Sequence, residues 1–279
     1  MCFKYALKRR FVFVLEGSLS VFFCFFLLLT CSFSYAQDKA LLYREGTNTK
    51  TLVVASDEWP PFRMIDAQGN FSGFDIDILA AVAKLTAVEF KVKRYPWSRA
   101  LKTMRLGGVD MMTGLAYTQE RALYINYVDF PYYTCSPAFY MQKHLDNDIK
   151  EYRDLYQYKV GYVLESAYFE PFNSDPKILR HGVVTETQLL KMASRDRMDV
   201  FIGTDCQVDY EITKRGLWPK IKKASFRPAG KVELYLGVSR RNSSKPLLEI
   251  LRLALIELQQ SGQLQQIAAR YFTPESIHN

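Results

Sequence analysis

The sequence predicts an α/β protein built as two lobes. Three observations carry this expectation. Short apolar runs of strand length alternate with amphipathic helical patterns, which implies parallel sheets. The alternation occurs twice, once before about Tyr133 and again after about Tyr158. The chain then ends in its strongest helical pattern, a stripe of Leu247, Leu251, Ala254 and Leu258.

Taken in order, the chain opens with Lys4, Lys8, Arg9 and Arg10, then an apolar stretch from Gly17 to Cys31, then Ser34-Tyr35-Ala36. A basic start, a short apolar core and a small-x-small site read as a secretory signal peptide over residues 1–36. The apolar core is shorter than the ~20 residues a spanning helix needs. An uncleaved anchor and a lipid-modified Cys31 are the alternatives. Gln37 to Lys50 is polar and patternless, an N-terminal arm. Thr51 to Ser56 reads as a strand. A helix follows from Asp75, with Ile78, Val82 and Leu85 on one face, and the Asp75 carboxylate suits capping of the first N–H groups. Val88, Phe90 and Val92 alternate with charged residues as a half-buried strand. Trp97 to Arg105 reads as a helix stopped by Gly107-Gly108, and Val109 to Met112 as a strand.

The second run repeats this grammar: a strand at Lys159 to Val163, a short helix from Ser166, a strand at Val183-Val184, a helix from Glu186 to Ser194 and a strand from Asp199 to Ile202. Pro246 suits a helix start. Ser261-Gly262 stops that helix, and Leu264 to Tyr271 forms another. No repeat of solenoid period is visible.

The formal net charge is +8, four of the basic residues lie in the leader, and no Lys/Arg block reads as a nucleic-acid patch. Of five cysteines, Cys135 and Cys206 remain after the leader. Their spacing matches no zinc site. One disulfide and two buried free thiols both stay open.

Ligands of open α/β sheets bind at strand ends, and four stretches lie there. Asp57-Glu58-Trp59-Pro60-Pro61-Phe62 is a proline-stiffened loop that can present Trp59 as a flat wall. Thr118 to Arg121 brings a guanidinium suited to a carboxylate. Leu164-Glu165-Ser166-Ala167 opens the expected short helix, whose N–H groups suit an anion. Gly203-Thr204-Asp205 offers an acid for an ammonium, or a helix cap. The histidines His144, His181 and His278 sit in no nucleophile or metal motif, and no G-x-S-x-G, H-E-x-x-H or P-loop occurs. No catalytic set, cofactor or metal is expected.

These stretches occur in an order that resembles the family 3 bacterial extracellular solute-binding proteins, the periplasmic receptors of ABC importers for polar amino acids. The motifs are "WPPF", "GNFSGFDIDIL", "LGGVDMMTG", "YTQERALYINYVDFPYY", "KVGYVLES", "MDVFIGTD" and "LIELQQSGQLQQIAARYF". The resemblance implies a type II periplasmic binding protein fold: two open α/β lobes joined by a two-strand hinge, with the ligand enclosed between them. It places lobe 1 at residues 51–133 plus 238–279 and lobe 2 at 134–237. It also assigns roles. Arg121 matches the arginine that grips a ligand carboxylate, and Gly114 and Ala116 match backbone positions at the ligand's polar end. Trp59 matches the stacking aromatic, and Glu58 lies beside it on the cleft's lip. Ser166 and Ala167 match a second contact to the carboxylate. Asp205 is nearest to the acid that takes the α-amino group. "PWSRA" resembles a branch in which Trp97 and Arg99 also face the cleft. Three features depart from the pattern: Asp110 to Thr118 is one residue short, Glu165 stands where Gly is usual, and Thr204 occupies the place of the expected acid. The expected protein is a periplasmic, monomeric receptor that captures a small polar solute and delivers it to a membrane permease. A dehydratase-like enzyme on the same fold and a soluble sensor for a membrane receptor are the alternatives.

Overall fold

The structure is a computed structural model that describes residues 50–272. The expected leader, its cleavage site after Ala36, Cys31 and His278 lie outside the described residues. Among those described, no helix is long and apolar enough to cross a membrane.

Among the described residues the chain forms two large sheets and a small ribbon of β2 (Met64–Ile65) against β3 (Phe71–Ser72). The first contains β1 (Lys50–Ser56), β4 (Val88–Arg94), β5 (Met111–Leu115), β6 (Ile125–Tyr127), β7 (Tyr133–Cys135) and β13 (Val232–Ser239). Its order is β4-β1-β5-β13-β6, with β7 also pairing β13. β1 runs parallel to β4 and β5, whereas β13 runs antiparallel to β5, β6 and β7. Side chains on a strand alternate between faces, and β1 shows the result. Leu52 and Val54 pack with α1 (Phe74–Leu85), α6 (Lys245–Gln260) and α7 (Gln263–Ala268). Ala55 turns the other way, toward Ala100, Leu101 and Met104 of α2 (Trp97–Leu106). The stripe Leu247, Leu251, Ala254 and Leu258 therefore covers the first sheet. The Ser244 hydroxyl accepts from the Leu247 N–H at the head of α6, with Pro246 in the first turn, and a left-handed Gly107 closes α2.

The second sheet contains β8 (Pro137–Gln142), β9 (Lys159–Val163), β10 (Leu179–Val183), β11 (Val200–Thr204) and β12 (Ile221–Lys223), in the order β10-β9-β11-β8-β12. It too is covered on both faces. Ala138, Tyr140 and Phe201 pack with α4 (Glu186–Ala193) and α5 (Asp205–Lys214), while Phe139, Met141, Val200 and Ile202 pack on the opposite side with Leu155 and Phe172. The chain passes from the first sheet to the second at Ser136 and returns between Lys223 and Val232. β7 and β13 pair beside these crossings, with Cys135 opposite Val232. All of β13 pairs within the first sheet, so the expected boundary at 237/238 falls inside a first-sheet strand.

Two local expectations are corrected. No helix begins at Ser166; the chain turns at Leu164-Glu165 and runs on irregularly, so no helix N-terminus is presented there. Asp75 does not cap α1, whose cap position is Gly73. Its carboxylate turns inward instead, for reasons given below.

Cys135 and Cys206 are bonded, with Cα atoms 5.7 Å apart at a sequence separation of 71. The bridge ties the outgoing crossing to the start of α5. Closing a loop of that size removes about 4 kcal/mol of chain entropy from the unfolded state. Replacing both by serine should lower the free energy of unfolding by about 2–4 kcal/mol. Urea unfolding under oxidising conditions measures this, and a midpoint that reduction leaves unchanged would mean that the bridge does not form.

Candidate functional site

The loop after β1 is closed by two backbone bonds. Trp59 N–H donates to the Arg63 carbonyl at 2.8 Å and Arg63 N–H to the Trp59 carbonyl at 2.9 Å. Pro60 and Pro61 sit between them and have no N–H to leave unsatisfied. The Trp59 ring stacks on Phe62 with centroids 4.3 Å apart, and the Arg63 guanidinium lies 5.0 Å from the Trp59 centroid.

Arg63 is 2% exposed. Its Nη1 donates to Asp75 Oδ2 at 2.6 Å and its Nη2 to Asp57 Oδ1 at 2.7 Å. Asp75 also accepts from Thr113 Oγ1 and from Tyr132 Oη, both at 2.7 Å. Tyr132 Oη in turn accepts from the Gly114 N–H at 2.8 Å. Burial alone would lower the pKa of Arg63, but Asp57 and then Asp75 raise it beyond its ordinary value, so it stays charged. Gly114 has φ +68°, and a Cβ there would sit 2.5 Å from Arg63 Nη1. Only glycine fits against the guanidinium in that conformation.

Arg121 follows the Thr118 cap of the short α3 (Gln119–Ala122), whose hydroxyl accepts from the Arg121 N–H. It is 6% exposed. Its Nη1 donates to the Ala116 carbonyl at 2.9 Å and its Nη2 to the Glu165 carbonyl at 2.5 Å, across the cleft. Trp97 Nε1 donates to the same Glu165 carbonyl at 3.2 Å, and the Arg121 guanidinium lies 5.4 Å from the Trp97 centroid. Burial lowers the pKa of Arg121, while Tyr127, Tyr124 and Glu165 oppose that shift. Glu165 has φ +62°, the region glycine occupies without strain. The position where the resembling family carries Gly thus keeps a glycine-like backbone here.

Between the sheets lies a cavity of about 60 Å³, measured over the centres of water-sized spheres. That is several times the roughly 10–15 Å³ a single water needs on this measure. Trp59, Trp97, Gly114, Ala116, Arg121, Ser166 and Ala167 all line it. Glu58 and Arg99 are exposed and are not in its wall. Asp205 is not in the wall either: its Oδ1 accepts from the Ser136 N–H at 2.9 Å and the Cys206 N–H at 2.8 Å, so it fastens the crossing to the first turn of α5. Thr204, its neighbour, faces the cavity instead. Asp57, which opens the strand-end loop read from the sequence, lines it too, and two further charged residues were not singled out by the sequence: Arg63 and Glu186. Glu186, the first residue of α4, has its carboxyl pushed up to about 7 by burial first and by Asp57 second, against opposing contributions from Arg63 and a hydrogen bond from the Trp59 side chain. Among the described residues, one group could hold a metal ion, Cys135, Asp205 and Cys206. Its two sulfurs are bonded to one another and are not thiolate ligands.

Two covered sheets thus face a cavity lined by both charged and aromatic side chains. Residues 52–274 match the model of the bacterial extracellular solute-binding proteins, family 3. The chain belongs to that family. It is similar to a probable histidine-binding protein of Neisseria gonorrhoeae, 26% identical over 80% of this chain and 83% of that one. It is also similar to the ABC transporter arginine-binding protein 1 of Escherichia coli K12, 24% identical over 78% of this chain and 88% of the relative. Among solved structures it resembles a histidine kinase sensor domain described as similar to periplasmic binding proteins, with a TM-score of 0.72 and 20% identity over 80% of this chain and 96% of that one. The fold is the two-lobed periplasmic binding protein fold, and the family is one of solute-binding proteins.

The Arg63 cluster makes a stability prediction. Removing one partner of a buried ion pair strands the other charges, at about 3–5 kcal/mol. Arg63→Met should destabilise by that amount, and adding Asp75→Asn should restore part of it. A double-mutant cycle in urea measures the coupling; strictly additive losses would show that the two side chains do not pair.

Proposed function

We propose that this protein captures a small polar solute, an amino acid or related carboxylate, between its lobes in the periplasm and hands it to the permease of an ABC importer. In this reading residues 1–36 are a cleaved export leader, the mature chain is a monomer, and the lobes are those expected from the sequence with the return boundary moved from 237/238 to before Val232, so that all of β13 belongs to lobe 1. The observation that carries it is Arg121, a nearly buried guanidinium in the wall of the cavity between the sheets. Two of its five N–H groups are spent on carbonyls, which leaves donors for a carboxylate. Trp59 and Trp97 supply flat walls, and Gly114, Ala116, Ser166 and Ala167 line the space between them. Relatives named for histidine and arginine support an amino acid as the solute.

One observation favours a second reading, an enzyme of the dehydratase kind. Glu186 is a carboxyl in the cleft held near neutrality, the property a general acid or base needs. Incubating the protein with small hydroxy acids and amino acids and following the mixture by NMR separates the two: a receptor returns every compound unchanged.

Calorimetry with a panel of L-amino acids tests the receptor reading. A ligand at ~100 times its dissociation constant should raise stability by ~2.7 kcal/mol, so a thermal-shift screen finds it first. Losing one partner of a buried charge pair costs about 2–5 kcal/mol, and ~1.4 kcal/mol is tenfold. Arg121→Ala should therefore weaken binding by at least roughly 30-fold. Arg121→Lys should recover little, because lysine lacks the planar fork. Affinity near the native value in Arg121→Ala would remove the carboxylate assignment.

A further inference from the structure

The second lobe has a pole that faces away from the cavity, and the topology defines it. β11 ends at Thr204 in the cavity wall. At about 3.3 Å per residue its first residue, Val200, lies about 13 Å from there, at the far end of the sheet. β8 runs antiparallel and reaches that end at Met141 and Gln142, and β12 starts there, with Ile221 opposite Gln142. α4 leaves the cavity at Glu186 and finishes at Ala193, and α5 leaves the crossing at Asp205 and finishes at Lys214. Three loops therefore meet at the pole, and two bonds join them. The Lys143 N–H donates to the Lys220 carbonyl at 2.7 Å, and Lys220 Nζ donates to the Ser194 carbonyl at 3.2 Å.

This pole is basic. Lys143, Lys191, Arg195, Arg197, Lys214 and Lys220 are all exposed there. Among the described residues, the ion pairs of this lobe are Arg153 with Glu151, Arg215 with Glu211 and Lys223 with Asp209, so none of those six cations has an acid held against it. The exposed acids of the same loops are Asp146, Asp196 and Asp199, which leaves three positive charges over. Helix ends explain part of this excess. Lys191 and Lys214 stand in the last turns of α4 and α5, where a cation complements the dipole. Lys143 and Arg197 lie outside any helix and are not explained that way. Neither is Trp218. The other two tryptophans line the cavity, whereas Trp218 is 37% exposed between α5 and β12. Its Nε1 donates to Thr213 Oγ1 at 2.9 Å, and its neighbour Leu217 is the residue of that loop that packs on the core.

An indole set among lysines and arginines is the composition of a membrane interface. The ring sits at headgroup depth, the aliphatic stems lie along apolar surface, and the charges meet phosphates. We propose that this pole docks on an anionic phospholipid surface, with Trp218 in the headgroup layer and Lys143, Arg197, Lys214 and Lys220 on the lipid phosphates. Charge alone would equally suit an acidic protein segment; the exposed indole favours lipid. The cavity and the crossings lie at the other end of the lobe, so docking leaves solute capture and hinge closure free. The surface is separate from the solute site and does not depend on which solute the cavity takes. A receptor held in this way would meet a membrane-embedded partner by moving along the bilayer rather than through the bulk. The attraction acts within about a Debye length, ~8 Å at physiological salt, so docking is reversible and sensitive to salt.

Vesicle co-sedimentation tests this, with phosphatidylcholine alone and with phosphatidylcholine mixed with phosphatidylglycerol. The native protein should pellet with the anionic vesicles, stay in solution with the neutral ones, and come off as salt rises. Each lysine or arginine near an anionic surface contributes about fivefold in partitioning, so Lys143→Gln combined with Arg197→Gln should weaken binding by about 25-fold. That doubly substituted chain should keep the native urea midpoint, which separates lost docking from lost folding. Trp218→Ser should weaken binding too, and should remove the shift to shorter wavelength that native tryptophan emission shows on anionic vesicles. Native protein and variants share one N-terminus, so comparing them cancels any contribution of residues 1–36. Failure to pellet with anionic vesicles, equal binding to neutral ones, or native binding by the doubly substituted chain overturns the proposal. Binding to soluble polyglutamate with no emission shift on vesicles also overturns it, and assigns the pole to an acidic protein partner. None of these outcomes bears on the solute-binding reading, which calorimetry tests separately.

Discussion

The site depends on where one guanidinium is buried. Arg63 is taken out of water completely, which is tolerable only because Asp57 and Asp75 hold it from two sides. Each contact fixes a different element: Asp57 the end of β1, Asp75 the first turn of α1, and Thr113 and Tyr132 the flanking β5 and the segment before β7. Gly114 then has no room for a side chain, and Trp59 has a cation against its ring. The first-lobe wall of the cavity is thus one connected polar network, and its members hold one another in place. Water has no route to repair a missing partner.

The second lobe meets this wall with lighter contacts. One carbonyl, that of Glu165, accepts from both Arg121 and Trp97, and Tyr210 Oη approaches Met64 Sδ at 3.7 Å. The apolar cores stay within each lobe, so few packed contacts resist opening. That division of labour suits hinge closure, in which rigid halves move about two short crossings and polar contacts at the lips form and break. A solute that bridges the lips adds contacts to the closed form alone, and so shifts the balance toward it.

Periodicity carried the fold well. The alternation of Val88, Phe90 and Val92, the stripe of α6 and the caps at Ser244 and Gly107 are local signals, and each determines local structure. The site was only half legible for the same reason. Trp59 stands at a strand end and was readable there, whereas Arg121 read on spacing as an ordinary surface arginine and was singled out by the resemblance alone. Arg63 follows a Trp-Pro-Pro-Phe run and looked like a charge at a loop exit; its meaning lies in Asp75, twelve residues on, which itself resembled an ordinary helix cap. The hint was an isolated cation among residues that are otherwise proline or aromatic. Glu186 follows the Thr185 cap, where an acid complements the helix dipole, and that local explanation hid its place in the cleft. Asp205 erred in the opposite sense, because holding backbone N–H groups and binding a ligand ask for the same side chain. The disulfide is a distance between two residues far apart in sequence, and no local pattern encodes it.

β13 lies in the middle of the first sheet, between β5 and β6, yet it is made more than a hundred residues after them. A chain synthesised from its N-terminus therefore presents β5 with one open flank until residue 239 has emerged. The second sheet has no such gap, since β8 to β12 form one continuous segment, 137–223. The insertion can complete itself while its host is still waiting, and open strand edges are places where chains stick to one another. A truncated product ending within β12 would carry a finished second sheet and an unfinished first one, so premature termination in this gene product is an aggregation hazard rather than a merely silent loss.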